Sequence, residues 1–320
     1  MGIKLSSMEL DVRRMIERAY AGSEDPYAGM GEEFWVAAAG TAFYERLIKR
    51  VTADRIFPKL MDSRASCTAH QGDIVKVAPG HTETVTGAGG LTFNKAGVRY
   101  KGYGGYSKRP AILMDGAACS ALFTAADVVV DGLNFSSGHA DLAYFGLITA
   151  KGVKIQNCRI LENIATEDWL TAIQLGAADN DCDGVELINN EIIGVGATAK
   201  GSIIINKDQK DVKILGNRIT GQFGATTFAP IYAPSTEILI NILVAHNMIH
   251  NLHNDNAVVG ISLANTASTG WVCYNLCYAL DVAGSTPFLG GATGLAHFEN
   301  YYTFEGNKSG YLRPAMGTAA

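Results

Sequence analysis

The feature that most constrains the fold is a short pattern that recurs along the chain. Its clearest copy is Val212-x-Ile214-x-Gly216-Asn217-x-Ile219, in which apolar residues alternate before a glycine and an asparagine. Related copies begin at residues 98, 128, 153, 185, 242, 270 and 295. A unit of roughly 25 to 32 residues, repeated over about 200 residues, predicts a repeat architecture.

A second alternating apolar segment lies between several copies, around Ile173, Ile203, Ile261 and Phe288. Each repeat therefore supplies at least two short strands and no helix. Ankyrin and TPR repeats need helices at this period, and a propeller blade needs about 40 residues and four strands. The pattern favours an all-β solenoid, a parallel β-helix, in which each strand pairs with its counterpart one coil above and below.

The recurrent asparagine has a structural explanation. In successive copies it would stack at one bend of the coil, where the amides hydrogen-bond to one another and satisfy buried polar groups. We predict such a structural ladder from Asn190, Asn217, Asn247, Asn275 and Asn300.

The remaining sequence predicts three regions. Residues 1–54 form an N-terminal docking segment, with an amphipathic helix over 6–21 and then a turn-rich linker. Residues 55–303 form the β-helix, with a capping helix near 55–67, and residues 304–320 form a C-terminal tail.

Composition excludes several classes of protein. The 320 residues are 48% hydrophobic and carry a net charge of −5, which excludes a disordered chain and argues against a nucleic-acid binder. No apolar run of about 18 residues exists, so no membrane span is expected. The N-terminus also lacks the apolar segment of a secretory signal. The six cysteines contain no CxxC pair and are expected to be reduced core residues.

Five segments carry a resemblance to a known family: GDIVKVAPGHTETVT (72–86), KAGVRYKGYG (95–104), RPAILM (109–114), AADVVVDGLNF (125–135) and VKIQNCRILEN (153–163). They resemble right-handed parallel β-helix proteins of tailed bacteriophages and prophages, whose solenoid is pectate-lyase-like and is preceded by a short capping helix. The resemblance implies that fold and a virion origin, without assigning a place in the virion.

Acidic clusters are candidate catalytic or metal sites, because the β-helix fold also occurs in carbohydrate-active enzymes. A glycosidase needs two carboxylates about 5–9 Å apart around the scissile bond. The densest acidic group is interpreted as turn-forming, with calcium at 179–183 as an alternative. This group comprises Asp179, Asp181, Asp183, Asp208 and Asp211.

Histidines give two further candidates. His81 lies two residues before Glu83 on a predicted strand, where a capping role is favoured. His246, His250 and His253 have a spacing that would suit zinc on a helix, but they occupy a strand repeat and are interpreted as structural. We therefore predict no catalytic residue, no metal site and no cofactor.

Function is predicted from the architecture and the resemblance together. Aromatic residues in the second half favour packing between protomers, with stacking on sugar rings as the alternative. The aromatics are Trp169, Tyr232, Trp271, Tyr274, Tyr278, Tyr301, Tyr302 and Tyr311.

A lone solenoid exposes open ends and long flanks, so we predict a homotrimer. The first hypothesis is a non-enzymatic capsid decoration or cement protein located on the virion surface. Its partners would be the major capsid protein or other virion proteins, with host glycans as a further ligand and neither nucleic acid nor membrane. The alternative is a tailspike-type protein that binds or cleaves host polysaccharide. The predicted docking residues are Arg13, Arg14, Phe34, Trp35 and Tyr44.

Overall fold

The structure is a computed structural model of the 320-residue chain. It describes residues 31–196, 201–223, 229–252, 260–279, 288–290, 294–304 and 313–314. The helix predicted over 6–21, with Arg13 and Arg14, and also His253 and Tyr311, lie outside the described residues.

The chain winds through three parallel sheets in turn, which confirms the β-helix prediction. Sheet A contains Ile56–Phe57, Glu33–Val36, Ile74–Val77, Arg99–Gly102, Val129–Asp131, Lys154–Gln156, Glu186–Ile188, Lys213–Leu215, Ile242–Ala245, Thr269–Cys273 and Gly294–Phe298. Sheet B contains Thr82–Val85, Ala111–Met114, Asn134–Ser137, Arg159–Leu161, Glu191–Ile193, Arg218–Gly221, Met248–Asn251, Leu276–Ala279 and Tyr301–Phe304. Sheet C contains Leu91–Phe93, Ala121–Phe123, Gly146–Ile148, Thr171–Leu175, Gly201–Ile205, Ile231–Ala233, Ile261–Leu263 and Phe288–Gly290. Gln209–Lys210 and Leu239–Ile240 form a separate short pair.

The register of sheet A confirms the alignment of the repeats. Ile155 pairs with Leu187, Leu187 with Ile214, and Ile214 with Val244, which are equivalent positions of consecutive copies. The later copy continues this column, because Val244 pairs with Val272. The segments predicted between the copies form strands of sheet C.

Left-handed backbone at two positions of the repeat explains how the coil bends. Gly216 has φ +64° and Asn189 has φ +52°, and each lies between a strand of sheet A and the next strand of sheet B. Asp211 has φ +57° and lies just before the strand of sheet A. Glycine, asparagine and aspartate tolerate this conformation better than other residues. The recurrent turn residues therefore fix both bends around sheet A.

One continuous core fills the solenoid, because alternate strand residues face inward. Equivalent side chains stack along the axis, as in the pair of Phe93 and Phe123, whose ring centroids lie 4.7 Å apart. All six cysteines are buried and free of disulfides. Burial raises the pKa of Cys158 to about 12 and that of Cys119 to about 11, so these thiols stay protonated at neutral pH.

The N-terminal end differs from the predicted boundary at residue 55. Glu33–Val36 already pairs in parallel with Ile74–Val77, so sheet A begins about twenty residues earlier. Residues 55–67 do not form one helix. Ile56–Phe57 is a strand and Met61–Ala65 is a 3₁₀ helix, and the fully buried Leu60 packs into the core between them.

Helical structure is otherwise scarce among the described residues. One α-helix spans Ala42–Leu47, with the Thr41 hydroxyl accepting a hydrogen bond from Tyr44 N. Two further 3₁₀ helices span Ala53–Arg55 and Tyr106–Lys108. In this part of the chain, no helix has the length and apolar character needed to cross a membrane.

The last described strand differs from the tail predicted over residues 304–320. Arg313–Pro314 pairs antiparallel with Tyr301 and Tyr302 at the edge of sheet B. These two residues therefore extend the sheet, in a direction opposite to that of the other strands.

Candidate functional site

A groove on the outer face of sheet C combines aromatic and amide side chains among the described residues. Its volume is about 460 Å³, which lies within the usual range for ligand sites. It is lined by Ala143, Tyr144, Leu170, Thr171, Gln174, Ile204, Asn206, Tyr232 and Pro234.

The floor of this groove follows from the strand register. Gln174 pairs with Ile204, and Ile204 pairs with Tyr232, so the three side chains form one outward-facing column. Since coils are spaced by about 4.8 Å, the column is about 10 Å long. Tyr144 lies at one edge, before Gly146–Ile148, and Asn206 lies at the other, after Gly201–Ile205.

The lining of the groove is uncharged. Its polar groups are two tyrosines, two amides and one threonine hydroxyl, and none of the nine residues carries a formal charge. Burial raises the pKa of Tyr232, so its phenol remains protonated at neutral pH. The groove can therefore offer aromatic faces together with hydrogen-bond donors and acceptors, but no fixed charge.

Three acidic residues follow the lining strands of the groove in the chain, and we call Asp179, Asp208 and Glu237 the acidic rim. Their carboxylate oxygens lie within 4.8 Å of one another. Asp208 follows Asn206 by two residues, and Glu237 follows Pro234 by three. An oxygen cluster of this kind suits a hard cation. However, Asp208 Oδ1 already accepts a hydrogen bond from Ile238 N at 2.6 Å, and we assign no metal to it.

The other acidic residues singled out in the sequence are engaged in turns. Asp181 Oδ2 accepts hydrogen bonds from the backbone N–H groups of residues 177 and 178, at 2.9 Å each. Asp183 accepts from Lys151 Nζ and from the backbone of residue 210. Asp211 accepts from Asn241 Nδ2 at 2.6 Å. The structure thus does not bring these carboxylates together as a catalytic pair.

Two buried carboxyl groups lie in the turn between sheets B and C, and the sequence analysis missed both. Glu162 is 4% exposed and Asp168 is 3% exposed. Glu162 accepts hydrogen bonds from the backbone N–H groups of Val195, Gly196 and Trp169. Burial nevertheless raises the pKa of Glu162 to about 7. Because both side chains are almost inaccessible, they hold the turn together and do not meet a bound ligand.

His81 and Glu83 belong to the N-terminal cap. His81 Nε2 lies 3.4 Å from Glu83 Oε2, and that carboxylate accepts a hydrogen bond from Leu60 N at 2.9 Å. Both side chains are nearly inaccessible, so Glu83 ties the 3₁₀ segment to the first coil.

The other histidines lie on a bend and a strand. His246 stacks on Tyr274 at 5.0 Å, and His250 meets Tyr278 edge-on at 4.4 Å. These two histidines therefore pack against aromatic rings of the next coil, and no zinc constellation is formed by the described residues.

The five predicted asparagines form a buried column. In the first four, the backbone N–H and Nδ2 donate to the Oδ1 of the next asparagine, as from Asn190 to Asn217 at 2.9 and 3.1 Å. Equivalent bonds run from Asn217 to Asn247, from Asn247 to Asn275 and from Asn275 to Asn300. At the lower end, Cys158 N donates to Asn190 Oδ1.

The predicted docking residues are not equivalent in the structure. Phe34 is 3% exposed and belongs to the core, because it lies on an inward-facing position of the first strand of sheet A. Trp35 packs beside Phe43 and Tyr103, with ring centroids 5.4 and 5.7 Å away. Tyr44 packs in the same small cluster. Phe34 therefore cannot serve as a surface contact, and Trp35 and Tyr44 help to close the N-terminal end.

Four exposed apolar or aromatic side chains lie on the C-terminal coils, and we call Met248, Trp271, Tyr274 and Tyr301 together the aromatic patch. Each of these side chains is more than a third exposed. Trp271 lies on sheet A, Tyr274 lies at the bend, and Met248 and Tyr301 lie on sheet B. Trp169, in contrast, is buried in the core.

Comparisons with known proteins add little beyond the architecture. No protein-family model matches the chain, and no curated protein matches it. A solved structure described as a rhamnogalacturonan lyase aligns with 83% of this chain and 84% of its own. Its sequence identity is 11% and the TM-score is 0.34, so this likeness carries no argument about activity.

Proposed function

We propose that this protein binds polysaccharide along the groove of sheet C without cleaving it. The observation that carries the proposal is the composition of the groove, in which Tyr144 and Tyr232 accompany the amides of Gln174 and Asn206. Aromatic rings present apolar faces to sugar rings, while amides offer donors and acceptors that match hydroxyl groups. The floor of about 10 Å is similar in length to a disaccharide.

The same lining is the reason that we propose binding without cleavage. Hydrolysis of a glycosidic bond requires a proton donor and a second carboxylate. None of the nine lining residues is acidic, and Glu162 and Asp168 are buried in the neighbouring turn. Tyr232 is unsuited to act as a base, because its raised pKa keeps the phenol protonated.

The proposed setting is the surface of a phage virion, and the ligand is a polysaccharide of the host surface. The support is the sequence resemblance of residues 72–163 to phage β-helix proteins. A rigid solenoid suits this role, because it holds side chains of several coils in a fixed line.

Binding can be tested by affinity electrophoresis of the full-length protein in gels that contain bacterial surface polysaccharides. We expect retardation by at least one polysaccharide, with no release of reducing or unsaturated ends. Gln174→Leu should weaken binding by about tenfold, the effect of losing roughly 1.4 kcal/mol of net hydrogen bonding. Gln156→Leu is the matched control, because Gln156 faces outward from sheet A. Equal weakening by both variants, or retardation by no polysaccharide, would refute the proposal.

A second candidate function is the trimeric capsid decoration, and the aromatic patch favours it. Exposed aromatic and methionine side chains are enriched where proteins associate. Sedimentation of the full-length protein should then give a trimer. Trp271→Glu should dissociate it, whereas Ile164→Glu, at an equally exposed site in a turn, should not. A monomer at all concentrations, or density for the protein only at the tail in images of the particle, would exclude this function.

A further inference from the structure

We infer that the groove selects neutral sugars and rejects sugars that carry carboxylates, an inference that rests on the proposed polysaccharide binding. The first observation is the lack of charge in the described lining, since none of the nine residues there is a lysine or arginine that could pair with an anionic ligand. Recognition of a carboxylate normally uses arginine in a two-pronged hydrogen-bonding geometry, or lysine as a point charge.

The second observation is the position of the acidic rim. Asp179, Asp208 and Glu237 place three carboxylates close together, and Asp208 and Glu237 follow the lining residues Asn206 and Pro234 by two and three positions. Their mutual spacing within 4.8 Å concentrates negative charge on one side of the groove. An anionic sugar bound there would meet like charge in a partly desolvated site, which is unfavourable.

Among the described residues, Lys207 and Lys151 do not cancel the charge of the acidic rim. Lys207 lies between Asn206 and Asp208, and it brings one positive charge against three negative ones. Lys151 donates to Asp183 at 3.0 Å, so its charge is already paired. The rim therefore keeps a net negative charge, and it discriminates by repulsion, while the uncharged floor supplies the attraction.

The Asn206 edge of the groove and its floor also suit the hydroxyl groups of a ligand. Asn206 has both a donor and an acceptor, and Gln174 has the same pair on the floor. A neutral hexose offers hydroxyls that can donate and accept in turn. A carboxylate only accepts, so an amide that faces it has no donor from that group for its own carbonyl oxygen.

The test compares one neutral oligosaccharide with its C6-carboxylated counterpart, using titration calorimetry on the full-length protein. The neutral form comes from a polysaccharide that retards the protein, or from its reduced form if that polysaccharide is acidic. We expect the neutral ligand to bind at least about tenfold more tightly at low ionic strength. Added salt should reduce the difference in affinity between the two ligands, because it screens the charge of the acidic rim.

Variants at the rim and at a distant acidic residue distinguish the effect of the rim carboxylates on affinity from the effect of the protein's overall charge. Asp208→Asn with Glu237→Gln should tighten binding of the carboxylated ligand by several-fold, and Asp208→Asn keeps an acceptor for Ile238 N. Asp131→Asn, on sheet A away from the groove, should leave both affinities unchanged.

The outcomes distinguish the two proposals. Equal or tighter binding of the carboxylated ligand would overturn neutral selectivity, while the proposed polysaccharide binding would stand. A preference for the neutral ligand that persists unchanged in the rim variants would also overturn the role of the rim. Binding of neither form would refute the polysaccharide function itself.

Discussion

Replacing Asn217 by leucine tests whether the asparagine column stabilises the solenoid. Asn217 is 1% exposed, and its Oδ1 accepts hydrogen bonds from Asn190 N at 2.9 Å and Asn190 Nδ2 at 3.1 Å. Its Nδ2 donates to the carbonyl of Leu187 at 2.9 Å and to Asn247 Oδ1 at 3.0 Å. Leucine has a similar size but can form none of these four bonds.

The expected loss of stability depends on the polar groups that lose their Asn217 partner in the variant. The buried N–H of Asn190 would lose its acceptor, which costs about 1–3 kcal/mol. The other three hydrogen bonds involve groups that keep or gain another partner in the variant. Losing each of these bonds should lower the free energy of unfolding by about 0.5 kcal/mol. The expected loss in the free energy of unfolding is therefore about 3 kcal/mol.

The assay is urea denaturation followed by far-ultraviolet circular dichroism. Asn163→Leu is the control, because Asn163 is exposed and its side chain bonds to the half-buried Glu167 rather than to a core group. The control should change the free energy of unfolding by less than about 0.5 kcal/mol. A loss below about 1 kcal/mol for Asn217→Leu, or equal losses in the two variants, would refute the structural role of the ladder.

Three further predictions concern the ladder, a glycine within a strand of sheet A and a buried acid. Cys158→Asn should extend the ladder, because Cys158 Sγ already lies 3.7 Å from the carbonyl of Val130, and urea denaturation should show unchanged or higher stability. Cys277→Asn should instead lose at least about 2 kcal/mol, since it buries an unpaired amide; equal effects would contradict this reasoning. Gly270→Ala should lower the melting temperature, because its Cβ would lie 2.1 Å from the carbonyl of Ile242, whereas Gly105→Ala meets nothing within 4 Å and should be tolerated. Glu162 has a pKa raised from 4.5 to about 7, so its contribution to stability is complete below pH 4.5 and decreases as pH rises to about 7. Glu162→Gln should flatten that decrease in the urea midpoint, and an unchanged pH profile would show that the carboxyl is not titrating there.

The coil and its ladder could be predicted from sequence because their signals are local. Alternating apolar residues, a left-handed turn residue and an asparagine occur within eight positions, as in Val212–Ile219. Once copies are aligned, the pairing of strands follows, and with it the column of asparagines.

The groove could not be predicted in this way. Its floor combines Gln174, Ile204 and Tyr232 from three coils, and their alignment depends on the register of sheet C. The strand Ile231–Ala233 was not recognised, although its alternation matches Ile203–Ile205 and would have completed the column. Outward-facing residues also lack the apolar periodicity that marks the core.

Errors at the N-terminal end have a similar cause. Phe34 was predicted to be a docking residue, but its strand pairs with Ile74–Val77, about forty residues further along the chain. That distant pairing buries Phe34, and no local pattern reveals it. Glu162 was missed because its burial depends on the backbone of Val195 and Gly196 in the next coil.

An experimental structure of the protein with a bound neutral oligosaccharide tests the central claim most directly. The account predicts an intact sugar chain along sheet C, contacting Tyr232, Gln174 and Asn206. An oligosaccharide seated instead on Trp271 and Tyr274 of the aromatic patch, or one cleaved at a pair of carboxylates, would contradict it.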